Sequence, residues 1–351
     1  MEVALDFAIQ FSPDHPWLQQ HPDWFRYRPD GSIRYAENPP KKYQDIVNPD
    51  FYCADRDGLW NALRDILLFW TEQGVRIFRV DNPHTKPFAF WEWVIREVQT
   101  RHPGTIFLSE AFTRPKVMLA LAKLGFTQSY TYFTWRTTKW ELESYLSELT
   151  SHPVREYFRP NFFVNTPDIL PFHLQSGDPA IFKSRVALAA TLSGSYGVYS
   201  GFELIEHTPI PGREEYLHSE KYELKTRDWN RPGNIKNYIA RLNQLRRGNP
   251  ALLQTSNLRF LMLDDDQVIG FLKESVSRDN AVAVAIALSG ARPREFWMHF
   301  GEHEIGPEGA RKRVAAIENL ITGQRYEIAW GGVRLNINPT DDPALFFRCL
   351  T

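Results

Sequence analysis

The chain has 351 residues, of which 43% are hydrophobic and 24% are charged, which excludes a disordered or fibrous protein. Its 41 Lys and Arg residues against 42 Asp and Glu leave a net charge of −1, so we expect no binding to nucleic acid or to a membrane surface. Two cysteines, Cys53 and Cys349, are too few for a disulfide framework and favour a reducing compartment. Glu2 and Asp6 stand where a signal peptide carries basic residues, so we expect a soluble cytoplasmic protein.

Predicted strands and helices alternate through the first two thirds of the chain. Val3–Ile9 is a predicted strand, and a long loop follows it as far as Arg56. Apolar residues at helical spacing from Leu59 to Trp70 predict a helix that Gly74 ends. The next predicted segments, in chain order, are strand Val75–Val80, helix Phe88–Val98, strand Thr105–Ser109, strand Ser129–Phe133, helix Lys139–Leu149, strand Asn161–Val164, helix Ile181–Leu192, strand Gly197–Ser200 and helix Ile235–Arg247.

This alternation predicts an α/β fold with a parallel sheet, whose functional groups lie at the carboxyl ends of the strands. A closed (β/α)8 TIM-type barrel needs eight strands, and this pattern supplies six. Either two strands escape the pattern or the chain begins partway round the barrel, and the immediate entry of Val3 into a strand favours the second. We therefore expect residues 1–253 to form a catalytic barrel that lacks its N-terminal strands.

The pattern changes after Pro250. Short apolar runs separated by turn residues replace the helical periods, which predicts an antiparallel β-sandwich as a second domain over residues 254–351. Its predicted strands are Leu258–Leu263, Val268–Leu272, Ala281–Leu288 and Val333–Ile337.

Three acidic residues, Asp81, Glu110 and Asp168, stand at or just beyond the ends of predicted strands. A single acidic residue after a strand is more often a helix cap than a functional group. Here the gaps of 29 and 58 residues correspond to one and two strand–helix units. This register predicts that the three carboxylates lie on one rim of a barrel.

The segments Gly74–Asp81, Phe107–Glu110 and Phe163–Asp168 resemble conserved regions of the α-amylase superfamily, glycoside hydrolase family 13, in order and in spacing. Within it, the chain more closely resembles the bacterial maltosyltransferases that extend α-1,4-glucans from α-maltose 1-phosphate. This closer resemblance runs from residue 1 to at least residue 253. Its clearest matches are FSPDHPW (11–17), ENPPKKY (37–43), FRVDNPHTKP (78–87), GVYSGFEL (197–204) and SEKYE (219–223).

The resemblance implies a role for each carboxylate. Asp81 matches the nucleophile that forms a β-glycosyl ester, and Glu110 matches the general acid/base. Asp168 matches the third carboxylate, which holds sugar hydroxyls as the ring flattens. Arg79, two residues before the nucleophile, would keep Asp81 ionised. Two carboxylates about 5 Å apart that act by double displacement retain the anomeric configuration.

The resemblance also implies a phosphate site. Asn38, Lys41 and Tyr43 match phosphate-binding residues in the loop after the first strand, and Gln10 and Asn82 match two more. Without the resemblance, Lys41 and its lysine neighbour would be a solvated pair on a surface loop.

Some positions differ from the general amylase pattern. Gln10 and Phe11 stand where amylases have Asn-His, and because that Asn is often a calcium ligand we expect no metal or cofactor. Pro167 replaces the His before the last carboxylate. We expect His84 and Lys86 to be ordinary residues at the rim; the alternative for His84 is contact with the sugar, which its counterpart makes in amylases.

These patterns predict a retaining glycosyltransferase that moves maltosyl units from α-maltose 1-phosphate to the ends of α-1,4-glucans. One alternative is a hydrolase or transglycosylase of the same superfamily, which a phosphate site would distinguish. The other is a carbohydrate-binding fragment without catalysis, against which the three carboxylates argue. The resemblance further implies N-terminal domains and two barrel strands ahead of Met1, and a homodimer of the full-length enzyme.

Overall fold

The computed structural model of the chain describes residues 1–38, 41–220, 223–290 and 292–351, without the side chains of residues 38, 41 and 42. It contains two compact units: Met1–Tyr130 with Tyr157–Arg159, and Thr131–Glu156 with Pro160–Thr351. The domain boundary expected at residue 253 stays a prediction. None of the helices in the described ranges has the length and apolar character that crossing a lipid bilayer requires.

The first unit alternates strands and helices. Its elements, in chain order, are β1 (Ala4–Phe7), α1 (Trp17–Gln20), β2 (Tyr35–Asn38), β3 (Lys41–Val47), α2 (Arg56–Glu72), β4 (Ile77–Asp81), α3 (Phe88–Arg101), β5 (Ile106–Glu110), α4 (Pro115–Lys123) and β6 (Gln128–Tyr130).

The remaining elements of the chain change from this alternation to strands alone. In chain order they are α5 (Lys139–Thr150), α6 (Val154–Tyr157), β7 (Pro160–Phe163), α7 (Pro179–Leu192), β8 (Ser195–Gly197), α8 (Lys236–Gly248), β9 (Leu258–Leu263), β10 (Val268–Glu274), β11 (Ala281–Ala287), β12 (Arg294–His299), β13 (Glu304–Ile305), β14 (Lys312–Arg313), β15 (Ala316–Asn319), β16 (Arg325–Glu327), β17 (Gly332–Ile337) and β18 (Ala344–Leu350).

The first unit is built on a parallel sheet in which β1, β4, β5 and β6 lie side by side in that order. The register places Asp6 of β1 opposite Arg79 of β4, and Asp81 of β4 opposite Glu110 of β5. Because the strands are parallel, their carboxyl ends meet at one edge of the sheet. The polar residues at the ends of β4 and β5 are therefore neighbours.

Helix α2 shows how the sequence sets the elements of this unit. The side chain of Asp55 accepts a hydrogen bond from the backbone N–H of Gly58, which caps the first turn. The apolar positions of α2, such as Leu59, Leu63 and Leu67, are fully or almost fully buried in the core of the unit. The helix ends at Glu72, and Gly74 follows with a φ of 98°, a conformation that residues with a Cβ rarely adopt.

The structure corrects the long loop expected between Phe11 and Arg56. This segment contains α1 and an antiparallel hairpin of β2 and β3. The hairpin escaped prediction because several of its residues, including Glu37 and Asp45, are exposed, so it lacks the apolar alternation of a half-buried strand. Helix α4 was also not predicted, and the strand expected at Gly197–Ser200 lies two residues earlier, in β8.

In the second unit, β7 and β8 are parallel neighbours, and the strands from β9 onward are antiparallel where they pair. The main antiparallel sheet has eight strands in the order β16-β15-β18-β11-β10-β9-β12-β17. Its buried side chains form a hydrophobic core, and every residue of β11 is buried. The antiparallel C-terminal architecture predicted from the sequence is confirmed, although β12 and β18 were not predicted.

Two buried cations bind the carboxyl end of α7 in this unit. The guanidinium of Arg246 on α8 donates hydrogen bonds to the backbone carbonyls of Ala190 and Ser193, the latter at 2.9 Å. The ammonium of Lys273 on β10 donates to the carbonyl of Thr191 at 2.9 Å. The last carbonyls of a helix have no partner within the helix, and these side chains satisfy them in a buried environment.

We expect Arg246→Met to lower the free energy of unfolding by about 2–3 kcal/mol, because it leaves buried carbonyl groups without donors. Arg247→Met is the matched control, since Arg247 is the exposed neighbour on the same helix. Thermal melting of both variants checks this expectation. Equal melting temperatures for the two would contradict the assigned capping role.

Candidate active site

The ends of β4 and β5 bring two carboxylates together. Asp81 is the last residue of β4 and Glu110 the last residue of β5, and the two are directly opposite in the parallel register. Glu110 is buried and Asp81 is half-buried. Neighbouring strands lie about 4.8 Å apart. Residues directly opposite one another point to the same face of a sheet, so the two carboxylates are neighbours there, as is required of the pair about 5 Å apart that retaining glycosidases use.

The guanidinium of Arg79 contacts three carboxylates. Its Nη1 lies 2.8 Å from Oδ2 of Asp6 and 3.1 Å from Oδ1 of Asp81, and its Nη2 lies 3.5 Å from Oε2 of Glu110. Burial opposes the charge of Arg79, but the attraction of Glu110 and Asp6 outweighs burial and raises the pKa of Arg79 above its ordinary value. Arg79 therefore stays charged and holds the acidic cluster together.

Amide groups fix the remaining oxygen of Asp81. Nε2 of Gln10 donates to Oδ2 of Asp81 at 2.6 Å, and Nδ2 of Asn82 donates to the same oxygen at 3.1 Å. The backbone N–H of Asn82 donates to Oε2 of Glu110 at 3.2 Å. Asn82 has a φ of 45°, a left-handed conformation that Asn adopts more readily than most residues. One residue thus links both carboxylates.

The turn that follows this site is rigidly connected. Residues Pro83–Thr85 form one 3-10 turn, in which the backbone N–H and the hydroxyl of Thr85 both donate to the carbonyl of Asn82, at 3.1 and 2.7 Å. The indole N–H of Trp91 donates to the carbonyl of Pro83 at 2.8 Å. Because Trp91 is fully buried, it anchors the turn to the core of the first unit.

The expectation that Lys86 is an ordinary rim residue is wrong. Lys86 is 6% exposed, and its ammonium is attracted by Asp81 and Glu110. His84 is half-buried. Its burial lowers its pKa, and the nearby charge of Lys86 lowers it further. No sequence pattern indicated the burial of Lys86, because a lone lysine in a polar segment is normally exposed.

For the other predicted site residues, the structure gives only a local setting or leaves the side chain outside the described part. Asp168 belongs to the second unit, in the loop after β7, where its backbone N–H donates to Oγ1 of Thr166 at 3.2 Å. Tyr43 is half-buried on β3. The side chains of Asn38 and Lys41 lie outside the described part of the structure. The roles of these residues stay predictions.

Two residues near Arg79 were not among the predicted site residues. Asp6 is the closest of the three carboxylates that contact Arg79, and its position on the strand beside β4 was the available signal. Tyr130, the last residue of β6, is buried; burial raises its pKa to about 12, and the charge of Arg79 acts against this shift. Spacing in the sequence did not indicate Tyr130, because its position near Arg79 follows only from the register of all the strands in the sheet.

Several curated proteins similar to this chain carry the same name. An α-1,4-glucan:maltose-1-phosphate maltosyltransferase from Burkholderia pseudomallei is 62% identical over 295 residues, which are 84% of this chain and 26% of that protein. A protein of the same name from Rhodospirillum rubrum is 53% identical over 348 residues, which are 99% of this chain and 50% of that protein. The chain thus spans half or less of the length of these relatives. No protein-family model matches the chain.

Solved structures show the fold class. An α-amylase from Geobacillus thermoleovorans in complex with acarbose is similar over all of this chain and 78% of its own, with a TM-score of 0.76 and 15% identity. An α-amylase from H. orenii has a TM-score of 0.70 and 14% identity, again over all of this chain. At these identities the likeness concerns the fold alone. The predicted TIM-type α/β fold with a C-terminal antiparallel domain is confirmed.

We expect Arg79→Met to destabilise the chain by about 2–4 kcal/mol at pH 7, because it leaves Asp6, Asp81 and Glu110 close together without their shared cation. The loss should shrink as the pH falls to about 4, since protonation of the carboxyl groups removes their repulsion. Melting temperatures across this pH range check the prediction. Arg96→Met, which removes an exposed arginine on α3, is the control. A loss that does not change with pH would contradict the electrostatic account.

Proposed function

We propose that this chain belongs to the family of the α-1,4-glucan:maltose-1-phosphate maltosyltransferases and takes part in the transfer of maltosyl units from α-maltose 1-phosphate to the non-reducing ends of α-1,4-glucans. The observation that carries the proposal is the 53% identity to the Rhodospirillum rubrum relative over 99% of the chain. The adjacent carboxylates at the ends of β4 and β5 supply a chemistry that fits this reaction.

The reaction has two displacements. In the first, a carboxylate oxygen of Asp81 attacks the anomeric carbon of the donor, while Glu110 gives its proton to the departing phosphate oxygen. This breaks the bond between carbon and phosphate oxygen and leaves a β-maltosyl ester on Asp81. In the second, Glu110 takes the proton of the acceptor hydroxyl, whose oxygen attacks the anomeric carbon, breaks the bond from that carbon to the Asp81 oxygen and releases Asp81 as a carboxylate. Two inversions give net retention.

The contacts of the site support this division of roles. Arg79, Gln10 and Asn82 hold both oxygens of Asp81, so the nucleophile is oriented before the donor binds. Asp168 would hold sugar hydroxyls as the third carboxylate. Gln10 and Asn82, together with Asn38, Lys41 and Tyr43, would bind the phosphate. The homodimer and the cytoplasmic location expected from the sequence also stay predictions.

The proposal is tested with α-maltose 1-phosphate and a short α-1,4-glucan as substrates. The chain is assayed alone and complemented by the part of the Rhodospirillum rubrum relative that it does not cover. We expect release of inorganic phosphate and glucan products that are longer by two glucose units, as seen by mass spectrometry. Shortened glucans and free maltose, formed without phosphate release, would instead support the hydrolase alternative. Glucan binding without any turnover in either form would support the non-catalytic alternative.

Two variants should separate the roles of the carboxylates. Asp81→Ala should abolish transfer from every donor, because no ester can form. Glu110→Ala should slow the first displacement strongly with α-maltose 1-phosphate but much less with α-maltosyl fluoride, since fluoride leaves with little protonation. Initial rates with the two donors measure the difference. Asp65→Ala, at an exposed position on α2, is the control. If Glu110→Ala lost equal activity with both donors, Glu110 would not be the acid.

A further inference from the structure

Lys86 lies in a rigid and enclosed position beside the two carboxylates. It directly follows the 3-10 turn Pro83–Thr85, and its backbone N–H donates to the carbonyl of Pro83 at 3.1 Å. The Lys86 residue is only 6% exposed to solvent. The position of its backbone is therefore fixed by the same turn that begins at the end of β4.

Lys86 is buried as a residue although its side chain is cationic. No carboxylate of the described residues forms an ion pair with it, although both Asp81 and Glu110 attract its charge. Burial lowers the pKa of Lys86 to about 8, and the two carboxylates act against this shift. Lys86 therefore carries its charge at neutral pH. A buried ammonium without an ion pair destabilises the folded chain, so some other benefit is needed to explain it.

The charges around Lys86 indicate what this benefit is. Arg79 is already shared among Asp6, Asp81 and Glu110, so this group of carboxylates is only partly neutralised. A phosphomonoester brings roughly 1.5 to 2 further negative charges at pH 7. Such a group binds beside carboxylates only where a further cation is present. A compact ammonium on a fixed turn can serve as this point charge.

We propose that the ammonium of Lys86 binds the phosphate of the sugar phosphate donor and stabilises it as it leaves. The proposal rests on the proposed function, because that function supplies the anionic leaving group. The turn after β4 would then supply one phosphate-binding cation. The other predicted one, Lys41, lies in the hairpin of β2 and β3. The alternative is that Lys86 only offsets the charges of Asp81 and Glu110 and acts with every donor.

The test compares Lys86→Met, Lys86→Arg and the control Lys116→Met, which removes an exposed lysine on α4. Each full chain is assayed with α-maltose 1-phosphate and with α-maltosyl fluoride, and its binding of inorganic phosphate is measured by calorimetry. We expect Lys86→Met to lower kcat/KM for the phosphate donor at least about tenfold more than for the fluoride, and to weaken phosphate binding to a similar degree. Lys86→Arg, which keeps the charge, should restore part of both.

Stability gives a second readout. If Lys86 serves a ligand, Lys86→Met should melt at the same temperature as the wild type or higher, because it removes an unpaired buried charge. Any gain should be larger at pH 7 than at pH 10. The unfolded chain keeps the Lys86 proton up to about pH 10.5 while the folded chain releases it near pH 8, so the cost of burying the charge falls over this range.

Three outcomes would overturn the proposal: equal loss with both donors, phosphate binding that Lys86→Met does not change, or a wild-type chain that binds no phosphate. A marked fall in melting temperature with equal loss would assign Lys86 a structural role. If the wild type binds phosphate through Lys86 but transfers no maltosyl unit, the proposed function and the role of Lys86 in leaving-group stabilisation fail, and only phosphate binding by Lys86 stands.

Discussion

The sharing of one guanidinium among three carboxylates is the interaction on which the site depends. Arg79 contacts Asp6, Asp81 and Glu110, which come from three adjacent strands. Three carboxylates at this spacing would repel one another if nothing lay between them. Only a parallel register that puts Asp6 opposite Arg79 and Asp81 opposite Glu110 allows one planar cation to reach all of them. The arrangement of charges in the site therefore depends on the register in which the strands pair.

Apolar and charged residues alternate along β4, so packing on one face of the sheet also enforces this register. Phe78 and Val80 point into the hydrophobic core, while Arg79 and Asp81 alternate with them and lie on the polar face. A slip of one residue in register would bury Arg79 and expose Phe78, so the core enforces the position of the charges. The turn after β4, which Trp91 anchors, then fixes the backbone positions of Asn82 and Lys86. Packing on one side of the strand thus preorganises electrostatics on the other.

The sequence predicted the parts of this arrangement that follow from periodicity. The strand–helix alternation, the antiparallel C-terminal strands and the placement of Asp81 and Glu110 at strand ends all appear in the structure. The hairpin of β2 and β3 was missed because its exposed residues carry no apolar period. Lys86 was misjudged because burial of a lysine depends on the turn and core around it, which neighbouring residues do not reveal. A partner that is distant in the sequence, such as Asp6 for Arg79, can be predicted only when the register of the strands is known.

The central claim is that Asp81 is the oriented nucleophile of a retaining pair. It is tested most directly by incubating the chain, alone and complemented as described above, with 2-deoxy-2-fluoro-α-maltosyl fluoride. Its 2-fluoro group slows both displacements, while its fluoride leaving group speeds formation of the ester, so the ester accumulates. The account predicts one covalent maltosyl adduct, which peptide mapping by mass spectrometry locates on Asp81. An adduct on another residue, or turnover with inversion at the anomeric carbon, would contradict it.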